Sequence, residues 1–159
     1  MKTRLLMTGL GGAILGVTAL MITGFSAAPS LMIVEDESRF DFEETVEWIQ
    51  VNALDQGWKV PTVHLLHDAV SPYGYEVGRV AVLELCQPHH AARILAEDRA
   101  KMVTSLMPCR VSVYETSEGR VMLSRMNTGL MARAFGGTVA EVMAEATQEN
   151  EAILANLIR

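Results

Sequence analysis

The amino-acid sequence predicts an α+β domain, an antiparallel-rich sheet with helices on one face, preceded by one transmembrane helix. Three observations predict it. Strand-like and helix-like periodicities follow the order β-α-β-β-α-β-β-α from Leu31 onward. Helix starts carry their own signals at Asp41, Pro88 and Thr138. A run of 21 uncharged residues, Leu5–Phe25, stands behind Lys2 and Arg4.

That run has the length of a membrane span, since about 20 helical residues cross a hydrocarbon core of roughly 30 Å. The positive end of such a helix stays in the cytoplasm. Residues 1–28 therefore read as an anchor that crosses a bacterial inner membrane once, through residues 5–25. The N-terminus is then cytoplasmic and the remaining chain periplasmic. The competing reading is a cleaved signal peptide, whose apolar stretch is usually about 7–15 residues. Here the stretch is longer, and the small-residue pattern Ser26-Ala27-Ala28 runs into Pro29. A cut after Ser26, with Gly24 two places earlier, belongs to that second reading. Gly12 and Gly16 form a GxxxG that lets another helix approach closely, although glycine is common in membrane helices anyway.

Residues 29–37 read as a linker or first strand, with Leu31–Val34 its apolar part, and residues 38–159 as the domain. Asp41-Phe-Glu-Glu44 resembles a capping box with Asp in the hydroxyl position. Phe42, Val46, Ile49 and Ala53 follow at helical spacing, so 42–56 is helical and Gly57 ends it. Trp58–Leu66 and Arg79–Cys86 read as strands around a loop holding Pro72 and Gly74. Gln87-Pro88 opens a helix running to about Lys101. Pro108 restarts extended structure, in which Val111 and Val113 alternate with Ser112 and Tyr114. Ser117-Glu118-Gly119 turns the chain into Arg120–Ser124. The apolar stretch Leu130–Phe135 precedes Thr138-Val-Ala-Glu141, a capping box whose helix buries Val139, Val142, Met143, Ala146, Ile153 and Leu157. With the helices on one face, the other sheet face calls for cover by a homodimer or a partner protein.

Half the residues are hydrophobic and a fifth are charged, which excludes a disordered chain. Beyond the leader, 11 basic residues stand against 19 acidic ones, a net −8. Such a surface repels phosphate backbones, so nucleic acid is excluded as a partner.

Two cysteines are too few for a disulfide scaffold or a four-thiolate zinc site. If the strands bearing Cys86 and Cys109 are parallel and joined by the helix, the two residues lie at opposite ends of the sheet. A strand of about six residues spans roughly 20 Å, whereas a disulfide needs Cα atoms within about 7 Å. An irregular Met107-Pro108 loop would defeat that argument. Cys86 precedes a helix N-terminus, where the dipole lowers a thiol pKa. No basic residue adjoins it in the chain, however, and a free cysteine is ordinarily a small buried residue.

His64 and His67 fall on opposite faces of a strand and make a poor metal pair. His89 and His90 point about 100° apart in one helical turn. Either can serve as an axial haem ligand, with Met126 a distant second; the plain reading is two exposed helix-start histidines. There is no CxxCH and no closely spaced His/Cys zinc pattern. Met122, Met126 and Met131 form the outer methionine cluster, suited to Cu(I) or, by default, to core filling. Arg125 and Asn127, beside Gly129, read as loop side chains that contact a ligand or cap Leu130–Phe135. Gly136-Gly137 offers backbone N–H groups to an anion. Nothing pairs Glu84 with Glu115 as acid and base, and GxSxG, P-loop and HExxH motifs are absent.

The pieces Leu85-Cys86-Gln87-Pro88, Met107-Pro108-Cys109-Arg110-Val111, Val113-Tyr114-Glu115 and Glu118-Gly119 resemble, in order and spacing, the "domain of unknown function 302" family. The continuation Ser124-Arg125-Met126-Asn127-Thr128-Gly129-Leu130-Met131 and Phe135-Gly136-Gly137 resembles its longer members, over about residues 38–157. The resemblance implies a fold akin to the TATA-binding-protein-like and ferredoxin-like groups, and a dimer. It implies no reaction. His89-His90 is a point of departure from other members, and the membrane helix is an addition.

The sequence thus reads as a non-catalytic, membrane-tethered periplasmic module that binds a small ligand, with haem the candidate cofactor, or serves a membrane redox complex as an accessory subunit. The candidate ligand-binding residues are Cys86, His89, His90, Cys109, Arg125, Met126 and Asn127; His89, His90 and Met126 double as metal candidates. The alternatives are a thiol-dependent periplasmic enzyme using Cys86 and a self-assembling structural subunit.

Overall fold

A computed structural model describes residues 31–159. The expected anchor through residues 5–25, the cleavage pattern and the Gly12/Gly16 pair lie outside the described residues. Among the described residues, no helix is long and apolar enough to cross a membrane.

Five strands form one antiparallel sheet in the order β1-β5-β4-β3-β2: β1 Ile33–Glu37, β2 Val63–Leu65, β3 Val80–Leu85, β4 Cys109–Glu115 and β5 Val121–Met126. The predicted α+β class is what the chain adopts. Alternation decides the two faces. Ala81, Leu83, Leu85, Val111, Val113 and Leu123 are fully buried on one face, while Val82, Ser112 and Ser124 lie half-buried in a row on the other. The buried face packs against α1 (Phe42–Asp55) and α5 (Gly137–Leu154) through Ile49, Ala146 and Ile153. Burying one such leucine or isoleucine stabilises the fold by about 1.5–3 kcal/mol.

Local signals placed several ends correctly. The Asp41 carboxylate accepts from the Glu44 N–H at 2.9 Å and caps α1. Gly57 follows that helix at φ 79°, a left-handed conformation that glycine adopts without a Cβ clash. The expected strand Trp58–Leu66 is shorter. Pro61 has no N–H to give a ladder, and only Val63–Leu65 pairs with β3, while Lys59 makes a separate bridge to Cys86. A short helix α2 (Leu66–Val70) and a 3-10 turn Ser71–Tyr73 fill the loop before β3.

Three expectations are corrected. The helix α3 (Pro88–Leu95) stops well before Lys101, and a 3-10 helix, Ala100–Leu106, follows it. That second segment carries the chain back to where it left the sheet, so β3 and β4 run antiparallel rather than parallel. Leu85 pairs with Cys109, which sets Cys86 and Cys109 at the same end of the sheet. Finally, Thr138 does not cap α5. Gly136 holds the N-cap position, and the Thr138 hydroxyl donates instead to Glu97 at 2.6 Å.

A second, smaller core sits apart from the main one. Ile94, Ala100 and Val103 pack there against Val139 and Val142 of α5. A short helix α4 (Thr128–Ala132) lies along α5, where a Cβ on Gly129 would meet the Thr147 methyl at 3.2 Å.

Candidate functional site

An apolar cavity of about 70 Å³ opens where the ends of β3 and β4 meet α3, the 3-10 helix and α5. Trp58 and Leu85 line it from the sheet side, Val103 and Met107 from the crossover, and Val142 and Met143 from α5. Cys86, His90 and Cys109 border it too. Three of the seven predicted site residues are therefore brought together.

His90 is the polar group most firmly held there. Pro88 opens α3, and the next two residues diverge by about 100°. His89 is exposed and His90 is buried, against the expectation of two exposed histidines. The His90 ring stands edge-on to Trp58 with centroids 6.2 Å apart. Its Nε2 lies 3.1 Å from Glu149 Oε1, and Glu149 Oε2 accepts from the Trp58 indole N–H at 2.8 Å. An ionised carboxylate only accepts, so Nε2 carries the proton. Nδ1 is buried without a hydrogen-bond partner; the nearest acidic oxygen, on Glu145, is 3.7 Å away. Glu149 is the residue that sequence reasoning missed. Its signal was weak, one acid among several on α5.

Cys109 shares the core-facing side of its pair Leu85, and burial, with the Cys86 charge adding to it, pushes its thiol up. Cys86 comes one position later and pairs with exposed Lys59, which assigns it to the other face. Both cysteines are free. They border one cavity from either side of the pleat, rather than standing the roughly 20 Å apart that a strand between them would give. Lys59 is also a basic neighbour of Cys86 that the linear sequence did not place.

The remaining candidates lie elsewhere. Arg125 was expected on a loop, but it is a β5 residue, 5 % exposed in its side chain, paired with Asp36 at 2.7 Å and with Glu151 at 2.6 Å. Those carboxylates hold its guanidinium above its ordinary value, against the opposing and largest single effect, burial. Asn127 is the N-cap of α4, accepting from Leu130 N–H and donating to the Leu31 carbonyl. Met126 pairs with Ile33 on the sheet face opposite to Arg125, away from His90. Met122 lies on that same outer face rather than in the core. Glu84 and Glu115 sit at opposite ends of the β3–β4 pair. Glu97 occupies the start of α5 through Thr138, where an anion had been expected at Gly136-Gly137. Among the described residues, no three His, Cys, Asp or Glu side chains converge to hold a metal ion.

No curated protein is significantly similar to the chain. A solved structure that is similar is the crystal structure of an uncharacterized conserved DUF302 protein from Bacillus stearothermophilus. It matches with a TM-score of 0.70 at 21% identity, over 80% of this chain and 98% of that one. At that identity the likeness is one of fold. The family described as "Domain of unknown function DUF302" matches residues 34–157. The chain belongs to the DUF302 family.

Proposed function

We propose that this chain is a non-catalytic binding module that takes a small apolar ligand into the cavity between β3, α3 and α5. The observation that carries the reading is the cavity itself. It is lined almost wholly by carbon and sulfur, and clefts of that kind take small apolar guests. His90, held by Glu149, gives its wall one fixed polar landmark. A haem with His89 or His90 as ligand fits less well, because about 70 Å³ is far below the roughly 300–1,000 Å³ of larger ligand pockets. Met126 is also on the wrong side of the sheet to be a second ligand. We place the module at the outer face of a bacterial inner membrane, anchored through residues 5–25, on the strength of Lys2, Arg4 and the uncharged run behind them. We read its sheet order as akin to the TATA-binding-protein-like group.

Trp58 reports on the cavity. The other tryptophan, Trp48, is exposed on α1, and a Trp48→Phe protein leaves Trp58 as the sole emitter. Benzene titrated into that protein should change the emission saturably, and Val142→Phe should abolish the response. An emission that follows benzene only linearly, or not at all, rules the reading out.

A second reading, an accessory subunit on a membrane complex, draws on Trp48, Val51 and Leu54, which leave an apolar stripe exposed along α1. Gentle solubilisation followed by size analysis tests it; a lone monodisperse protein counts against it.

A further inference from the structure

The cavity lies on a seam between two cores. Trp58, Leu85 and Ala146 belong to the main core, whereas Ile94, Val103 and Val142 belong to the smaller one. Residues 88–106 supply the crossover side of that seam. They pack chiefly against α5 and among themselves, and the His90 ring also rests edge-on against Trp58. Because Leu85 pairs with Cys109, both ends of the segment leave the sheet at one place.

Polar contacts fasten the segment to α5 in a row. His90 meets Glu149 at 3.1 Å, and Arg93 meets Glu145 and, at 3.2 Å, Glu141. The three acids recur every four residues on one helical face, and His90 and Arg93 are three apart on the facing one. Every acid in the row is more than a third exposed, so solvent screens the Arg93 pairs, whereas the contact to the buried His90 ring is the firmer one.

We propose that residues 88–106 form a lid over the seam, latched to α5 by His90 and Arg93, and that unlatching admits the ligand. The last clause rests on the cavity reading above; the lid itself does not.

Hydrogen exchange on the full-length chain, read by mass spectrometry, tests the lid without a ligand. In Arg93→Gln, amides of residues 88–106 are expected to exchange about three- to tenfold faster, while 42–55 and 121–126 keep their rates. The unmutated chain at about 1 M salt should move the same way, because screening weakens partly exposed pairs. Alkylation of Cys109 by iodoacetamide should accelerate in parallel. Unchanged exchange at 88–106, or a rise spread evenly over the chain, overturns the lid. Benzene binding to Trp58 without any response at 88–106 leaves the cavity reading standing and removes the lid alone. A responsive segment with no benzene binding keeps the lid and removes its ligand-admitting role.

Discussion

The Trp58 indole N–H donates to Glu149 Oε2 at 2.8 Å, tying a residue of the sheet-side core to the C-terminal half of α5. The same carboxylate holds His90. One acid therefore aligns both aromatic rings at the cavity wall.

Glu149→Ala should cost about 1–3 kcal/mol, the range for leaving a buried polar group without a partner. The loss should fall toward the low end, since the Glu149 side chain is 41% exposed and water can follow it in. Urea unfolding monitored by tryptophan emission measures this, with Glu149→Gln expected between the two. A Glu149→Ala protein of unchanged stability would show that the tie contributes nothing.

Val142→Ile adds one methylene beside the cavity and should stabilise the protein by about 0.8 kcal/mol if the space accepts it. The same change should weaken benzene binding. Thermal unfolding and the Trp58 titration read the two effects on one sample, and stabilisation without weakened binding would place the benzene elsewhere.

Glu115 receives hydrogen bonds from Arg79, with Nε at 2.8 Å, and these hold its carboxyl below the ordinary range. A carboxyl lowered in the folded state adds stability that is present above the unfolded value. That stability is lost as pH falls through the folded one. The gap between the natural chain and Glu115→Gln should therefore be open at neutral pH and close at the acid end. A gap of constant size from neutral to strongly acid pH would contradict the pairing.

Arg125→Met replaces a buried guanidinium with an apolar chain, and Asp36 and Glu151 are left to solvent. Both acids are partly exposed, so the cost should be about 1–3 kcal/mol rather than that of a fully buried broken pair. Hydrogen exchange should show it first in β1, the edge strand that Asp36 belongs to. Equal loosening of β1 and β4 would argue against a local role.

Much of the fold was legible in single residues. Asp41, Gly57, Pro88 and Gly119 each act on the backbone beside them, and each stands where its local chemistry put it. Asn127 was open to two readings, and the cap prevailed because α4 begins at the next residue. Thr138 misled, because its hydroxyl found Glu97, a competitor 41 positions away that no capping pattern contains. The site was legible only as a set of unplaced candidates. Cys86, His90 and Cys109 were named, but Glu149 and Lys59 were not, since each meets its partner across elements.

The order of strands and helices, and the acidic charge of residues 29–159, could be read from the chain alone, because periodicity and composition act over a few residues at a time. Whether β3 and β4 run parallel, which of His89 and His90 turns inward, and whether Arg125 meets solvent or two carboxylates were decided by packing. Those outcomes depend on where a helix ends and what lies across from it, and no local stretch of sequence carries that information.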